Sequence, residues 1–523
     1  MTSTRLAVPV TPAPVPRLSL AVAALVGLLS MAAGLATGHL VGGFISPTAS
    51  PFLAVGGSAI DLTPLWLKDF AVRTFGSDDK VVLLSGMAVV IGLAGVVAGL
   101  LSRRSRTPGL VLILVLGVVA GIAVLCRPTA GPLDVLAPLA ALLAGAGVFA
   151  TLHRLGRLSR QPAAGGATEV SRRRLLVGSA AVAAGAAVAA TGGQLLTGRG
   201  AVEASRQTLG RIVPTVPAPP IPRGADFAAD GSPSFITPNR DFYRVDVNLV
   251  LPQLRAEDWR LRIHGMVDRE VTLTWSDLTS RSLVERPVTM TCVSNELGGP
   301  YISTSHFTGV LLADILHEVG VRRGADQVFT TSVDGWTCGT PTATLTDPGR
   351  QAMLVIGMNR EPLPIEHGFP VRMLVPGLYG FVSGTKWITD MELTTFDARR
   401  AYWLQRGWGQ RAPIKTMSRI DSPRPFARVS PDTPITGVAW AQTRGIESVE
   451  VRLDHGEWRP AELSTEVNVD TWRMFRLRGR WAPGAHVVEV RATDRTGYTQ
   501  TVDRVAPIPD GASGWDSARF TVL

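Results

Sequence analysis

Two stretches hold residue types suited to chemistry. The first is VTMTCVSNELGG (288–299), which places Cys292 after a short apolar strand and before a glycine turn. A thiolate at a strand end suits a soft metal or a nucleophile. Taken alone, Cys292 fits a buried inert thiol or a disulfide with Cys338 better than a reactive site. The second stretch runs from His367 to Trp387 and sets Arg372, Ser383, Gly384, Thr385 and Lys386 among glycine and proline turns. Cations beside free backbone N–H groups make an anion-binding arrangement. The apolar residues Val371, Met373, Leu374 and Val375 place a buried strand beneath it. No GxxxxGK[ST] occurs, so this is not a nucleotide P-loop.

The elements that position these residues alternate in character. From Ile236 to about Phe396 the chain reads as α+β, with a short strand at 259–263 and helical spacing over 310–319. From about Ile414 it reads as all β, with alternation at 446–453, 473–477 and 486–492 and turns at Asp454-His455-Gly456 and Pro483-Gly484. About 105 residues of this kind suit a β-sandwich. Residues 198–234 are rich in Pro, Ala and Gly and read as a semi-extended linker.

Upstream stand five apolar runs: Leu18 to about Phe44, Val81–Leu101, Gly109–Cys126, Leu133–Leu152 and Leu175–Leu196; apart from Asp134 at the start of the fourth they hold no Asp, Glu, Lys or Arg. Each approaches the roughly 20 residues that cross a bilayer core. Arginines mark their cytoplasmic ends, which places the N-terminus inside and everything after the fifth span outside. The segments 1–17, 102–108 and 153–174 hold 11 arginines and one acid, Glu169, and thus the whole formal charge of +10. The rest of the chain balances at 41 basic and 41 acidic residues, so the basicity marks topology and no nucleic-acid partner is expected. Ser171-Arg172-Arg173-Arg174-Leu175-Leu176 resembles a twin-arginine export motif placed internally. Only His39 lies within a run, His153 sits at an edge and CxxCH is absent, so no haem is expected.

In order and spacing, TPNRDFYR (237–244), WRLRIHGMV (259–267), TCVSNELGG (291–299), FTGVLLADIL (307–316), SVDGW (332–336) and MNREPLPIEHGFPVRMLVPGLYGFVSGTKW (358–387) resemble the sulfite oxidase family of molybdopterin-dependent oxidoreductases. The last segment, from RGIESVEVRLDHGEWRPAEL (444–463) on, resembles that family's immunoglobulin-like domain, which commonly mediates dimers. Together these cover about three fifths of the chain. The resemblance implies a molybdenum-molybdopterin cofactor. Cys292 matches its thiolate ligand. Asn239, Arg240, Asp334, His367, Arg372 and Ser383–Lys386 match cofactor-holding positions, and Tyr243 and Arg244 match residues beside the substrate.

The implied chain is a five-span helical bundle (1–197), a linker (198–234), an α+β molybdopterin domain (235–405) and an immunoglobulin-like sandwich (406–523). It would be membrane-anchored with an extracytoplasmic site. It would carry out oxygen-atom transfer on a small oxyanion or an S- or N-oxide and exchange electrons with an external protein or quinone. Membrane lipid and a second copy, bound through the C-terminal domain, complete the expected partners. A tethered binding or adhesion protein that keeps the fold without metal is the alternative. The sequence departs from the family's pattern in several places: Asp334-Gly335-Trp336 stands for DGY, Cys338 is not part of the pattern, and the N-terminal run differs. Animal and plant sulfite oxidases follow a Phe-Phe pair with Arg-Asn-His, whereas here the run is Phe242-Tyr243-Arg244-Val245-Asp246, whose Phe-Tyr pair is closer to the bacterial branch that reduces methionine sulfoxide.

Overall fold

Apolar runs of this length satisfy their backbone polar groups within the segment by coiling, and the chain does so. The computed structural model describes residues 17–523 except 65–66, 68–69, 72–73, 76–78, 129, 160–166, 196–198 and 248. Arg5, Lys68, Asp69, Arg73, Asp78 and Arg160, which enter the charge argument, lie outside the described residues. The chain divides into a helical unit up to Arg199 and a second unit formed mainly by Gly200–Val247 and Leu251–Leu523.

In the helical unit, five helices among the described residues are long and apolar enough to cross a membrane: Leu20–Ile45, Asp79–Leu101, Thr107–Leu125, Pro132–Leu158 and Arg172–Gln194. Ser19 caps the first, its hydroxyl accepting from the Val22 N–H at 3.3 Å. This helix packs against three of the other long helices. Glycines let it approach Asp79–Leu101 closely. A Cβ on Gly99 would stand 1.8 Å from the Ala23 carbonyl oxygen, and one on Gly27 1.8 Å from that of Gly95. Sequence reading missed one element, the short apolar helix Pro51–Leu62. His153 sits inside Leu136–Leu158, with Nε2 2.8 Å from the Ser102 carbonyl.

The second unit opens with two sheets around one core. In the first, β1 (Arg260–Gly265) lies between β2 (Val271–Thr274) and β10 (Ile388–Thr394), and β5 (Gln327–Ser332) and β6 (Thr337–Pro341) extend it beyond β10. In the second, β3 (Val284–Thr291) pairs β4 (Ile302–Leu311), then β7 (Met353–Met358). Both β8 (Glu361–Pro362) and β9 (Arg372–Leu374) pair with β7. Their facing residues, Trp259, Leu261, Ile263, Leu354, Ile356, Val371, Met373 and Met391 among them, form a shared core. Helical spacing over 310–319 yields a helix only from Leu312 to Val319, because Val310 and Leu311 still pair with Leu354 and Met353 of β7.

Beyond it, β11 (Met417–Ser422), β13 (Ile435–Trp440), β16 (Glu462–Leu463) and β17 (Arg473–Leu477) form one sheet. The strands β12 (Arg428–Val429), β14 (Ile446–Leu453), β15 (Arg459–Pro460), β18 (Gly484–Asp494) and β19 (Asp516–Val522) form the other. Ile435, Phe475, Val449, Val490 and Phe520 bury between them. The turn after β14 takes positive φ at Asp454 (51°) and His455 (59°). The segment read as a linker is no bare tether. It contains the helix Arg199–Thr208, and Val202, Ile212, Ala225 and Phe227 are buried. Its polar, proline-rich composition concealed these four apolar anchors.

Candidate active site

Strand β3 delivers the thiol. Cys292 follows it directly, its N–H donating to the Tyr301 carbonyl at 3.0 Å and its own carbonyl accepting from the Asn295 N–H at 3.1 Å. Its Sγ lies 3.0 Å from Ser294 Oγ. The loop is braced from the β-rich region, where Arg419 donates to the Gly299 carbonyl at 3.0 Å. Burial pushes the thiol's pKa up, while Ser294 and the Lys386 ammonium pull it back. Cys292 and Cys338 are both free, so the disulfide alternative does not form.

Around the thiol gather two buried basic side chains, a largely buried lysine and an acid. Arg372, on β9, is 5% exposed; Nη1 donates to the His367 carbonyl at 3.3 Å, and Nε has no hydrogen-bond partner. Burial lowers its pKa to about 10. Lys386 Nζ donates to the Glu366 carbonyl at 3.0 Å and the Val245 carbonyl at 3.2 Å, and pairs with Asp246. Its pKa falls to about 8, chiefly by burial. Asp246, 1% exposed in its side chain, also takes Arg244 Nε at 2.5 Å. Burial alone would raise its pKa, but the two cations hold it below the ordinary carboxylate value.

His367 is held neutral. Burial and then the Arg372 and Lys386 charges bring its pKa down to about 3. An unfolded histidine titrates near 6.5. As pH falls from 6.5 towards 3, the unfolded chain therefore gains a proton that the native chain refuses, and stability falls by up to roughly 1.4 kcal/mol per pH unit from this residue. His367→Gln should remove that part of the acid sensitivity, read as a shallower decline of the denaturant midpoint between pH 6.5 and 4.

Aromatic rings line the site. Phe242 stacks on Tyr243 with centroids 5.3 Å apart and meets His367 edge-on at 5.3 Å. Tyr243 and Tyr379 interact electrostatically with Cys292, and burial raises both phenol pKa values, so each keeps its proton. Tyr379, in Leu-Tyr-Gly, is a site residue that sequence reading quoted but did not single out.

The remaining expected residues divide. Asn239 is fixed by Asn359, whose Nδ2 donates to its Oδ1 at 2.8 Å. Asp334 caps a turn after β5, accepting from the Trp336 N–H at 2.9 Å, and Val333 N–H donates to the Trp387 carbonyl at 2.9 Å, which sets that turn against the Lys386 segment. Ser383 and Thr385 line the loop, but their hydroxyls are committed inward. Ser383 donates to the Tyr379 carbonyl at 2.9 Å, and Thr385 meets Thr330 at 2.6 Å. Gly384 is closely packed: a Cβ would stand 3.0 Å from the Gly380 oxygen and 3.3 Å from Arg372 Nη2, so a neighbour would have to give way slightly. Arg240 stands apart, its side chain 85% exposed and 3.4 Å from Asp241. Cys338 is fully buried under the loop, beside Thr340. His306 lines a different cleft with Pro219, Pro220 and Arg360.

Residues 248–403 match the family model described as the oxidoreductase molybdopterin-binding domain. Over 326 residues the chain is 28% identical to mitochondrial sulfite oxidase of Homo sapiens, covering 53% of this chain and 59% of that one. This chain carries an oxidoreductase molybdopterin-binding domain. It spans less than two thirds of the length of the human relative. A nitrate reductase [NADPH] of Emericella nidulans is 32% identical over 192 residues, covering 32% of this chain and 22% of the relative. The sulfane dehydrogenase SoxCD from Paracoccus pantotrophus aligns with a TM-score of 0.48 and 23% identity, over 56% of this chain and 84% of that one.

The residues present fit such a cofactor. An unpartnered buried guanidinium nitrogen, a neighbouring ammonium and a glycine-lined loop suit an anionic phosphate and a heterocycle. Among the described residues, no three His, Cys, Asp or Glu side chains converge as a metal site of their own. A metal at Cys292 would therefore draw its other ligands from the cofactor.

Proposed function

We propose that this chain is a membrane-anchored molybdenum oxidoreductase with its active site outside the cytoplasmic membrane. The observation that carries the reading is the gathering of Cys292 with buried Arg372, Lys386 and neutral His367. When bound, molybdenum-molybdopterin supplies two-electron, oxygen-atom chemistry on a small oxyanion or an S- or N-oxide. The chain's own residues do the rest. Cys292 offers the thiolate, which the Lys386 charge favours. Arg372 and Lys386 hold the anionic group. His367, uncharged, donates or accepts one hydrogen bond without adding charge. Tyr243 and Tyr379 keep their protons and remain hydrogen-bond donors beside the thiol, while Arg244 stands at the substrate side.

In this reading the five long helices are spans, and residues 235–405 and 406–523 are the catalytic and immunoglobulin-like domains. The latter suits a homodimer, and an external protein or quinone exchanges electrons. The topology rests on the arginine clusters. Arg172 and Arg173 are exposed at the start of the fifth long helix. Changing both to Lys should leave the catalytic domain inaccessible to external protease if they act as a twin-arginine signal; unchanged accessibility rejects that signal. Purified full-length protein, screened with sulfite and with sulfoxides and N-oxides against artificial electron acceptors and donors, should turn over at least one class. Molybdenum-loaded protein inert towards all of them rejects the catalytic assignment.

A further inference from the structure

Resting on that reading, the hydrogen bonds of one asparagine show how part of the site is held in place. Asn359 directly follows β7 and takes φ 51°, a left-handed conformation that asparagine tolerates better than most residues. Its side-chain amide is fully engaged. Oδ1 accepts from Ser305 Oγ at 2.9 Å and from the His306 N–H at 3.1 Å, both on β4. Nδ2 donates to the Thr237 carbonyl at 3.0 Å and to Asn239 Oδ1 at 2.8 Å. Two donors and two lone pairs are all that such an amide offers, so these four bonds exhaust it.

The partners of Nδ2 open the segment Thr237–Tyr243, whose own regular structure is a single short turn, Asn239–Asp241. Its ends meet β4, where the Thr237 N–H donates to the Thr304 carbonyl at 2.8 Å and the Tyr243 N–H to Ser303 Oγ at 3.2 Å. This segment supplies one side of the site. Phe242 meets His367 edge-on at 5.3 Å, Tyr243 stands near Cys292, and the Asn239 main chain hydrogen-bonds the His367 ring. The Asn239 amide, expected to hold the cofactor, is spent on the scaffold: besides accepting from Asn359 it donates to the Met358 carbonyl at 3.3 Å and reaches Glu361 at 3.4 Å.

We propose that Asn359 is a positioning residue: by bonding β4 with one end of its amide and Thr237 and Asn239 with the other, it sets where Phe242, Tyr243 and His367 stand beside the cofactor. It acts through Asn239.

The test uses Asn359→Gly in the full-length chain. Glycine keeps the left-handed turn and the main-chain bond to the His306 carbonyl, and removes the whole amide. Amide hydrogen exchange of the cofactor-free protein should quicken roughly tenfold over 237–243, the scale of one or two lost hydrogen bonds, while β3 and β4 stay protected. Turnover per bound molybdenum should fall roughly tenfold to a hundredfold, the scale of a reacting geometry displaced by about an ångström. Asn239→Ala should produce the same two changes. The double variant should be no more than about threefold slower than the slower single variant, because both act along one path. Unchanged exchange over 237–243 overturns the inference. So does wild-type turnover per molybdenum, or losses in the two single variants that multiply in the double. A purely structural role would lower the unfolding midpoint and the molybdenum content but leave turnover per molybdenum alone. If Asn359→Gly fails to fold, Asn239→Ala is judged by the same exchange and turnover measurements. Wild-type protein without molybdenum rejects the catalytic reading instead, and the exchange result then decides the anchoring by itself.

Discussion

Cys292→Ala is expected to lower turnover by at least about a thousandfold, the scale seen when a group acting directly on the reacting centre is removed. The fold should survive. The side chain is only half-buried, its hydrogen-bond partner is the neighbouring Ser294, and the loop is held by backbone bonds to Tyr301 and Asn295 that an alanine keeps. The loss in stability should stay within about 1 kcal/mol. Thermal unfolding close to wild type with turnover gone is the expected pair of results. Wild-type turnover in this variant would remove Cys292 from the chemistry.

Arg372→Met is expected to produce two effects of opposite sign. The guanidinium is 5% exposed, its Nε lacks a partner, and the drop of its pKa to about 10 corresponds to roughly 3 kcal/mol of unfavourable burial of the charge. Methionine fills similar space without charge. The cofactor-free chain should therefore gain about 1–3 kcal/mol, as replacements of buried charges by apolar groups do. The same change should deplete molybdenum and pterin from protein made in a cofactor-producing host, because the anionic group loses its innermost cation. Stability is read from denaturant midpoints of cofactor-free protein, occupancy from metal analysis. A variant that is less stable and still fully loaded would show that Arg372 serves the fold alone.

How much of this was legible in the sequence depended on the range of the interaction. Local alternation placed β14, β17 and most of β18, because the period of a half-buried strand is written residue by residue. Cys292 and the His367–Lys386 segment could be found by residue type. Contacts between distant segments could not. Nothing in the chain's order shows Asp246 meeting Lys386 across 140 positions, or Arg419 bracing Gly299. The hydroxyls of Ser383 and Thr385 looked free to bind a ligand and instead hold the loop. The supposed linker was misread for the same reason, since composition reveals Ala225 and Phe227 but not the core that receives them.

The division of labour between the two parts of the second unit also emerged only from packing. Trp472, in the β-rich region, donates from Nε1 to the Phe235 carbonyl at 3.0 Å, and its N–H bonds Thr289 of β3 at 2.7 Å. Arg286 of β3 pairs with Asp470 at 2.7 Å, with side chains 14% and 8% exposed. These contacts fix the strand that leads into Cys292, so the β-rich region supports the site.

The most direct test of the account is the metal and pterin content of the full-length wild-type protein, purified from a host that makes the cofactor. About one molybdenum and one pterin per chain are expected, both reduced in Arg372→Met. Protein that is folded and exported but carries neither would contradict the account at its centre.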